Sequence, residues 1–203
     1  SIDVDKFDYL VRDPYYIGFN YNFNYQRLYN KTKLIDNKIY YHHTVGNDIY
    51  DLYFTRYKFH REIYNHKTVK SIELMIADIL LEANEVYNFG SIINTDEFLD
   101  LDDTILTRIK YNPEKSLDVC RNILDRITSR NLYKKIYDIN SDDSKLADDY
   151  LSDNFPDEKT ENFHIVKLHF DFCNKNDSPF SNIEFYNNSG SVNHDKVNIR
   201  KLI

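Results

Sequence analysis

The chain has 203 residues, 41% of them hydrophobic, a formal net charge of −7 and a mean hydropathy of −0.64. That length suits one domain or one with a small appendage. No apolar run approaches the roughly 20 residues of a membrane span, and the acidic balance gives no argument for duplex DNA binding.

Aromatic bulk is high, with Tyr 18 and Phe 13 but no Trp. Cys120 and Cys173 lack CxxC or Cys/His spacing, which reads as a reducing, intracellular protein (nucleus or cytoplasm) with buried thiols. The first residues carry no apolar signal-peptide region. Residues 138–161 hold nine acids against Lys145 and Lys159, which equals the charge of the whole chain. That stretch reads as an exposed or disordered acidic connector.

In chain order, residues 3–17 read as a helix that stops near Gly18, with Phe7, Leu10 and Val11 on its core-facing side. Asn20 to Asn24 reads as a turn. Residues 25–34 and 38–43 flank Asp36-Asn37 as a β-hairpin. Tyr50 to Tyr87 is one long helical pattern without Pro or Gly, broken at Gly90. Asp96–Lys110 and Pro113–Arg130 read as two more helices, Pro113 fitting a first turn. Residues 163–172 alternate as a strand, and Ile183 to Tyr186 suit another. The expected fold is mainly α with a small α+β part. Its divisions fall at 1–137, the connector 138–161, and a small α+β lobe at 162–203.

Two stripes carry chemistry. On the first helix Asp5, Lys6, Tyr9 and Asp13 fall within about 100° of one another. A carboxylate, an ammonium, a phenol and a second carboxylate suit a metal and an anion, or simply a solvated face. On the long helix Arg56, His60, Tyr64 and Lys67 share one face. Two cations that close repel unless an anion or carboxylates lie between them. A phosphate-binding wall answers this, and so does pairing with acids of another helix.

The same residues carry a resemblance. Asp3-Val4-Asp5-Lys6-Phe7-Asp8-Tyr9 with Arg12-Asp13 resembles D-V-D-K-W-D-Y-x-x-R-D of the SAM- and HD-domain deoxynucleoside triphosphate triphosphohydrolases. Asn22-Phe23-Asn24-Tyr25-Gln26-Arg27 resembles N-F-D-Y-x-R, and Val45-Gly46-Asn47 through Tyr50-Asp51 resembles V-G-N-L-Y-D with one extra residue. Thr55-Arg56, His60-Arg61 and Tyr64-Asn65-His66-Lys67 resemble T-R, H-R and Y-Q-H-K at matching spacing. Arg130 to Tyr133 and Ser178 to Tyr186 are similar to later segments, R-N-L-F and N-P-I…V-S-F-Y. The match is dense through residue 81 and thin afterwards.

The resemblance implies the C-terminal portion of an HD-domain fold that hydrolyses dNTPs to deoxynucleoside and triphosphate. A divalent metal ion (Fe, Mn, Mg or Zn) is implied, held by a His, a His-Asp doublet and a later Asp, which is Asp5 here. Lys6, Tyr9 and Arg56 would contact the phosphates. Asp13 would accept from the 3′-hydroxyl, and Tyr64 would pack on the deoxyribose and exclude a 2′-hydroxyl. His60 would line the same wall, and Asn65 replaces a Gln beside the sugar. Arg27 and Lys67 match contacts to allosteric nucleotides in oligomeric members, although Asn24 replaces an Asp and residues 28–45 diverge.

The family's first His and its His-Asp doublet lie upstream of the closing Asp, and this sequence starts four residues before Asp5. The expectation is therefore the C-terminal part of a larger homo-oligomeric enzyme, inactive and without its metal when alone. A non-catalytic module for oligomerisation or single-stranded nucleic-acid binding is the other reading. His194-Asp195 reads as a chance doublet. His42 and His43 on a strand would point to opposite faces, as would His164 and His169. Asp100, Asp102 and Asp103 read as helix N-terminal charge.

Overall fold

The computed structural model describes residues 2–19, 24–139, 145–159, 162–170, 180–189 and 192–193. The protein is mostly helical with one small sheet. It forms two compact units, Ser1–Tyr64 with Leu168–Ile203, and Asn65–Lys167. These units cut the chain elsewhere than the composition shifts at 138 and 162 do. Among the described residues no helix is long and apolar enough to cross a membrane.

The first unit begins with α1, Val4–Ile17. Asp3 caps it, its side chain accepting from the Lys6 amide, which satisfies one of the free first-turn donors. Gly18 ends it at φ 75°, a left-handed conformation that glycine adopts without strain. The Phe19 amide closes the turn on the Pro14 carbonyl at 2.9 Å. The expected helix and its stop are thus present. Leu10 is fully buried and Phe7 packs against the core, but Val11 is 41% exposed rather than core-facing.

Residues 25–34 are not one strand. Tyr25–Asn30 forms α2, capped by Asn24, and the strand β1 covers only Thr32–Ile35. Its hairpin partner β2, Lys38–His42, pairs antiparallel with Ile35 opposite Lys38. Asp36 and Asn37 both have positive φ (48° and 59°), as a two-residue type I′ turn requires. The strand β3, Glu184–Tyr186, joins β2 in parallel, and β4, Val192–Asn193, pairs antiparallel with β3, giving the order β1-β2-β3-β4.

The helix α3, Gly46–Phe59, buries Ile49, Leu52, Tyr53 and Phe59. It continues as a π-helical turn, His60–Tyr64. With Leu10, Leu28, Tyr41, Val45 and Phe185 these side chains make one core.

The second unit is built on α4, Lys67–Tyr87. Met75, Ile79 and Ala83 lie four residues apart on one face and are fully buried. They share a core with Ile109 of α6 (Thr104–Tyr111) and with Cys120 and Ile123 of α7 (Asp118–Thr128). A short α5, Phe89–Ile92, follows α4, and α8, Lys145–Asn154, lies beyond α7.

Three expectations change here. The long pattern from Tyr50 to Tyr87 is not one helix but α3, a π turn and α4. His66 leaves helical geometry at ψ 141° and caps α4, its ring accepting from the Thr68 amide. The acidic stretch, expected to be exposed or disordered, carries the largely exposed α8. Residues 163–170 form no strand ladder, so His164 and His169 are not on opposite faces of one. The two helices expected over 96–130 are each shorter, preceded by 3₁₀ turns at Asp96–Asp100 and Lys115–Leu117. The turn at 20–23, Cys173, and His194-Asp195 lie outside the described residues.

Candidate functional site

The site residues gather in the first unit, where α1 faces α3 and its π turn. The Asp3 cap fixes the first turn of α1, which sets the direction of Lys6. The Lys6 ammonium donates to the other Asp3 oxygen at 2.6 Å. One turn on, Tyr9 is half-buried and packs against the core. The positive charge of Arg56 on α3 acts on its phenol, and so do the charges of Asp5 and Asp3. Burial pushes the Tyr9 phenol above its ordinary range. The Arg56 charge opposes this, while Asp5 and Asp3 add to it. Tyr9 is therefore neutral at neutral pH and feels a cation and two carboxylates.

The second half lies one turn further along. The Tyr64 hydroxyl donates to Asp13 Oδ2 at 2.5 Å. Burial, then the bond to Asp13, raise its phenol far above the usual value. The Tyr64 ring meets the Tyr9 ring edge-on at 6.4 Å and the Phe59 ring at 6.2 Å. Asp13 is flanked by Arg12, whose Nε is 3.5 Å from Asp13 Oδ1 and whose other arm reaches Asp8 at 2.7 Å. The π turn carries about one extra residue per turn, so Tyr64 does not keep the phase that a straight α-helix from Arg56 would give it.

The Tyr9 ring thus meets Tyr64, and Tyr64 holds Asp13. His60 starts the π turn and packs edge-on against Phe170 at 5.8 Å. Asn65 and Lys67 belong to the second unit, so the expected common stripe of Arg56, His60, Tyr64 and Lys67 is broken. Lys67 opens α4 and is exposed. Arg27 is paired with Asp48 of α3 and donates to the Thr44 carbonyl at 3.0 Å.

Several participants went unread in the sequence. Asp3 is both cap and counter-ion to Lys6, and its three-residue spacing was the available signal. Arg12 follows Asp8 by four residues, the spacing of a helical ion pair. Asp48 as the partner of Arg27 had no local signal. His42 is also a surprise. Its ring nitrogens meet Thr44 Oγ1 and Asn188 Oδ1, each at 2.8 Å, and its ring lies 4.5 Å from that of His43 rather than on an opposite face. Both nitrogens are occupied, so this pair offers no metal site.

Among the described residues no group of three or more His, Cys, Asp or Glu is placed to hold a metal ion. Asp5 is exposed and contributes one carboxylate. A hard cation needs several oxygen or nitrogen donors, so these residues alone do not fit one. A cavity of about 210 Å³ lined by Tyr87, Phe89, Ile92, Glu97, Leu101 and Arg108 lies in the second unit and contains none of the site residues.

No family model matches the chain. Individual relatives do. The chain is 41% identical over 140 residues to the deoxynucleoside triphosphate triphosphohydrolase SAMHD1 homolog of Dictyostelium discoideum, covering 68% of this chain and 27% of that protein. It is 32% identical to an HD domain-containing protein of Acanthamoeba polyphaga mimivirus, over 92% of this chain and 45% of the other. It is also 32% identical to the deoxynucleoside triphosphate triphosphohydrolase SAMHD1 of Danio rerio, over 92% of this chain and 34% of the other. A helical unit with charged and phenolic groups on facing helices, and these matches, define an HD-domain protein. More narrowly, the chain belongs to the SAMHD1 family. It spans less than half the length of these relatives.

Proposed function

We propose that the first unit supplies the phosphate- and sugar-facing wall of a dNTP triphosphohydrolase. The observation that carries this reading is the Tyr64–Asp13 hydrogen bond joining α1 to the π turn, with the Tyr9 ring edge-on to Tyr64 and the Tyr9 phenol in the field of Arg56 and Asp5. Arg56 offers a fork to phosphate oxygens and Lys6 a point charge. Both would offset negative charge that grows on the departing triphosphate. Neutral Tyr9 donates to a phosphate oxygen. Asp13 has acceptor capacity beyond its bond to Tyr64 and accepts a hydrogen bond from the 3′-hydroxyl. The Tyr64 ring packs against the deoxyribose and leaves no room for a 2′-hydroxyl. His60 flanks this wall.

Asp5 is proposed as one donor of a divalent metal site whose other donors lie outside the described residues. Taken by itself, the 203-residue chain is proposed to be catalytically silent. Nucleotide regulation through Arg27 and Lys67, self-association, and an intracellular location belong to the same reading.

Calorimetric titration of the chain with dGTP, GTP and inorganic triphosphate tests it. dGTP should bind more tightly than GTP, and Arg56→Ala should weaken dGTP and triphosphate about tenfold alike, the loss of a charge-assisted pair. Unchanged affinity in Arg56→Ala sinks the phosphate assignment. Release of triphosphate from dGTP by the isolated chain, or tight binding of one Mn²⁺, overturns its proposed silence.

A further inference from the structure

We propose that Asp3 is a positioning residue for Lys6, an internal anion that occupies the ammonium until a ligand's phosphate displaces it. This inference rests on the reading of Lys6 as a phosphate contact.

Asp3 divides its carboxylate between two tasks. Oδ1 accepts the Lys6 amide at 3.1 Å and Oδ2 accepts the Lys6 ammonium at 2.6 Å. The backbone bond anchors the carboxylate over the first turn of α1. The ion pair is therefore not a chance meeting of two long side chains. The side chain of Lys6 is 18% exposed and that of Asp3 40%, so the ammonium is the sheltered member. An ammonium has three donors, and a phosphate arriving at a second one meets the Asp3 charge across it. Like charges that share one cation repel. The phosphate must then either tolerate Asp3 or draw Lys6 away from it.

The influence reaches past Lys6. Asp3 and Asp5 both act on the Tyr9 phenol, against Arg56. In the free protein two carboxylates thus balance Lys6 and Arg56. The wall is close to neutral without ligand, and an incoming anion gains only the difference between its own contacts and those it replaces.

The cap and the counter-charge separate by substitution. Asparagine caps helices about as well as aspartate but carries no charge. Asp3→Asn keeps the Oδ1 acceptor and removes the ion pair, whereas Asp3→Ala removes both. Titration of the chain with inorganic triphosphate should show Asp3→Asn binding about threefold more tightly than the parent, the scale of a partly exposed ion pair. Its melting temperature should match the parent, while Asp3→Ala melts lower. In the double variant Asp3→Asn/Lys6→Ala most of the gain should vanish, leaving affinity within about 1.5-fold of that of Lys6→Ala. Unchanged or weaker binding in Asp3→Asn, with Lys6→Ala weakened, overturns the role of Asp3 and leaves the phosphate reading intact. If Lys6→Ala binds as the parent does, or the parent shows no binding, the phosphate reading fails and the role of Asp3 fails with it.

Discussion

The bond between Tyr64 and Asp13 joins α1 to the π turn after α3, and its strength can be measured through a double-mutant cycle. The two residues are 51 apart in sequence and meet at 2.5 Å. A hydrogen bond to a charged group contributes about 1.5–3 kcal/mol when water is excluded. The side chain of Asp13 is 30% exposed and has Arg12 at 3.5 Å, so water and Arg12 recover part of that in Tyr64→Phe. The expected loss is about 1 kcal/mol, and the coupling between Tyr64→Phe and Asp13→Ala should be of the same size. Because the protein has two compact units, a single unfolding midpoint would blur the effect. Hydrogen exchange read by peptide avoids this. Protection over residues 4–17 and 60–64 should fall about fivefold in Tyr64→Phe, with residues 67–87 unchanged. The folded phenol titrates above its unfolded value, so the bond is fully present below about pH 10 and is lost only as pH rises through the folded value. The coupling should accordingly be the same at pH 6 and pH 9. A coupling below about 0.3 kcal/mol, or an equal loss of protection across 67–87, refutes the argument.

His42→Ala should cost about 1–2 kcal/mol in urea unfolding, since His42 is buried against the Tyr186 ring and makes two hydrogen bonds, while its exposed partners Thr44 and Asn188 are taken up by water; a cost under about 0.5 kcal/mol would show that the ring holds nothing. Gly18→Ala should lower stability by only about 1 kcal/mol, because φ is 75° but no atom lies within 4 Å of the added Cβ. Loss of several degrees more in thermal melts than that figure implies would reveal a steric contact. In the second unit Tyr133 donates to Asp78 at 2.7 Å, and burial and that bond push its phenol up to about 12. A raised folded value means stability that is complete below about pH 10 and lost as pH climbs to about 12, worth about 1 kcal/mol after allowance for solvent screening. Stability curves of Tyr133→Phe against the parent should converge across that window, and parallel curves would contradict the assignment.

The sequence disclosed structure where one element carried its own signals. α1 was readable because its apolar residues keep helical spacing and Gly18 marks its end, and the hairpin because Asp36-Asn37 admits positive φ at both positions. The break between α3 and α4 was not, since it depends on His66 as a cap and on a π turn, with neither Pro nor Gly to announce it. The alternating stretch at 163–170 looked like a strand because alternation reports two faces, whereas a strand also needs a neighbour to pair with.

The site followed the same division. The polar stripe on α1 is a matter of helical spacing, and the family resemblance supplied chemical roles for its members. The partners that hold those members in the free protein come from geometry. Lys6 is held by Asp3, Arg27 by Asp48, and Asp13 by Arg12 and Tyr64. These three groups, each expected to meet a nucleotide, already have an internal partner. Affinity then depends on a difference between two sets of contacts, and charge-neutral changes at the internal partners should strengthen binding where changes at the contacting residues weaken it. That opposite sign is a consequence of tertiary pairing, and no spacing rule along the chain contains it.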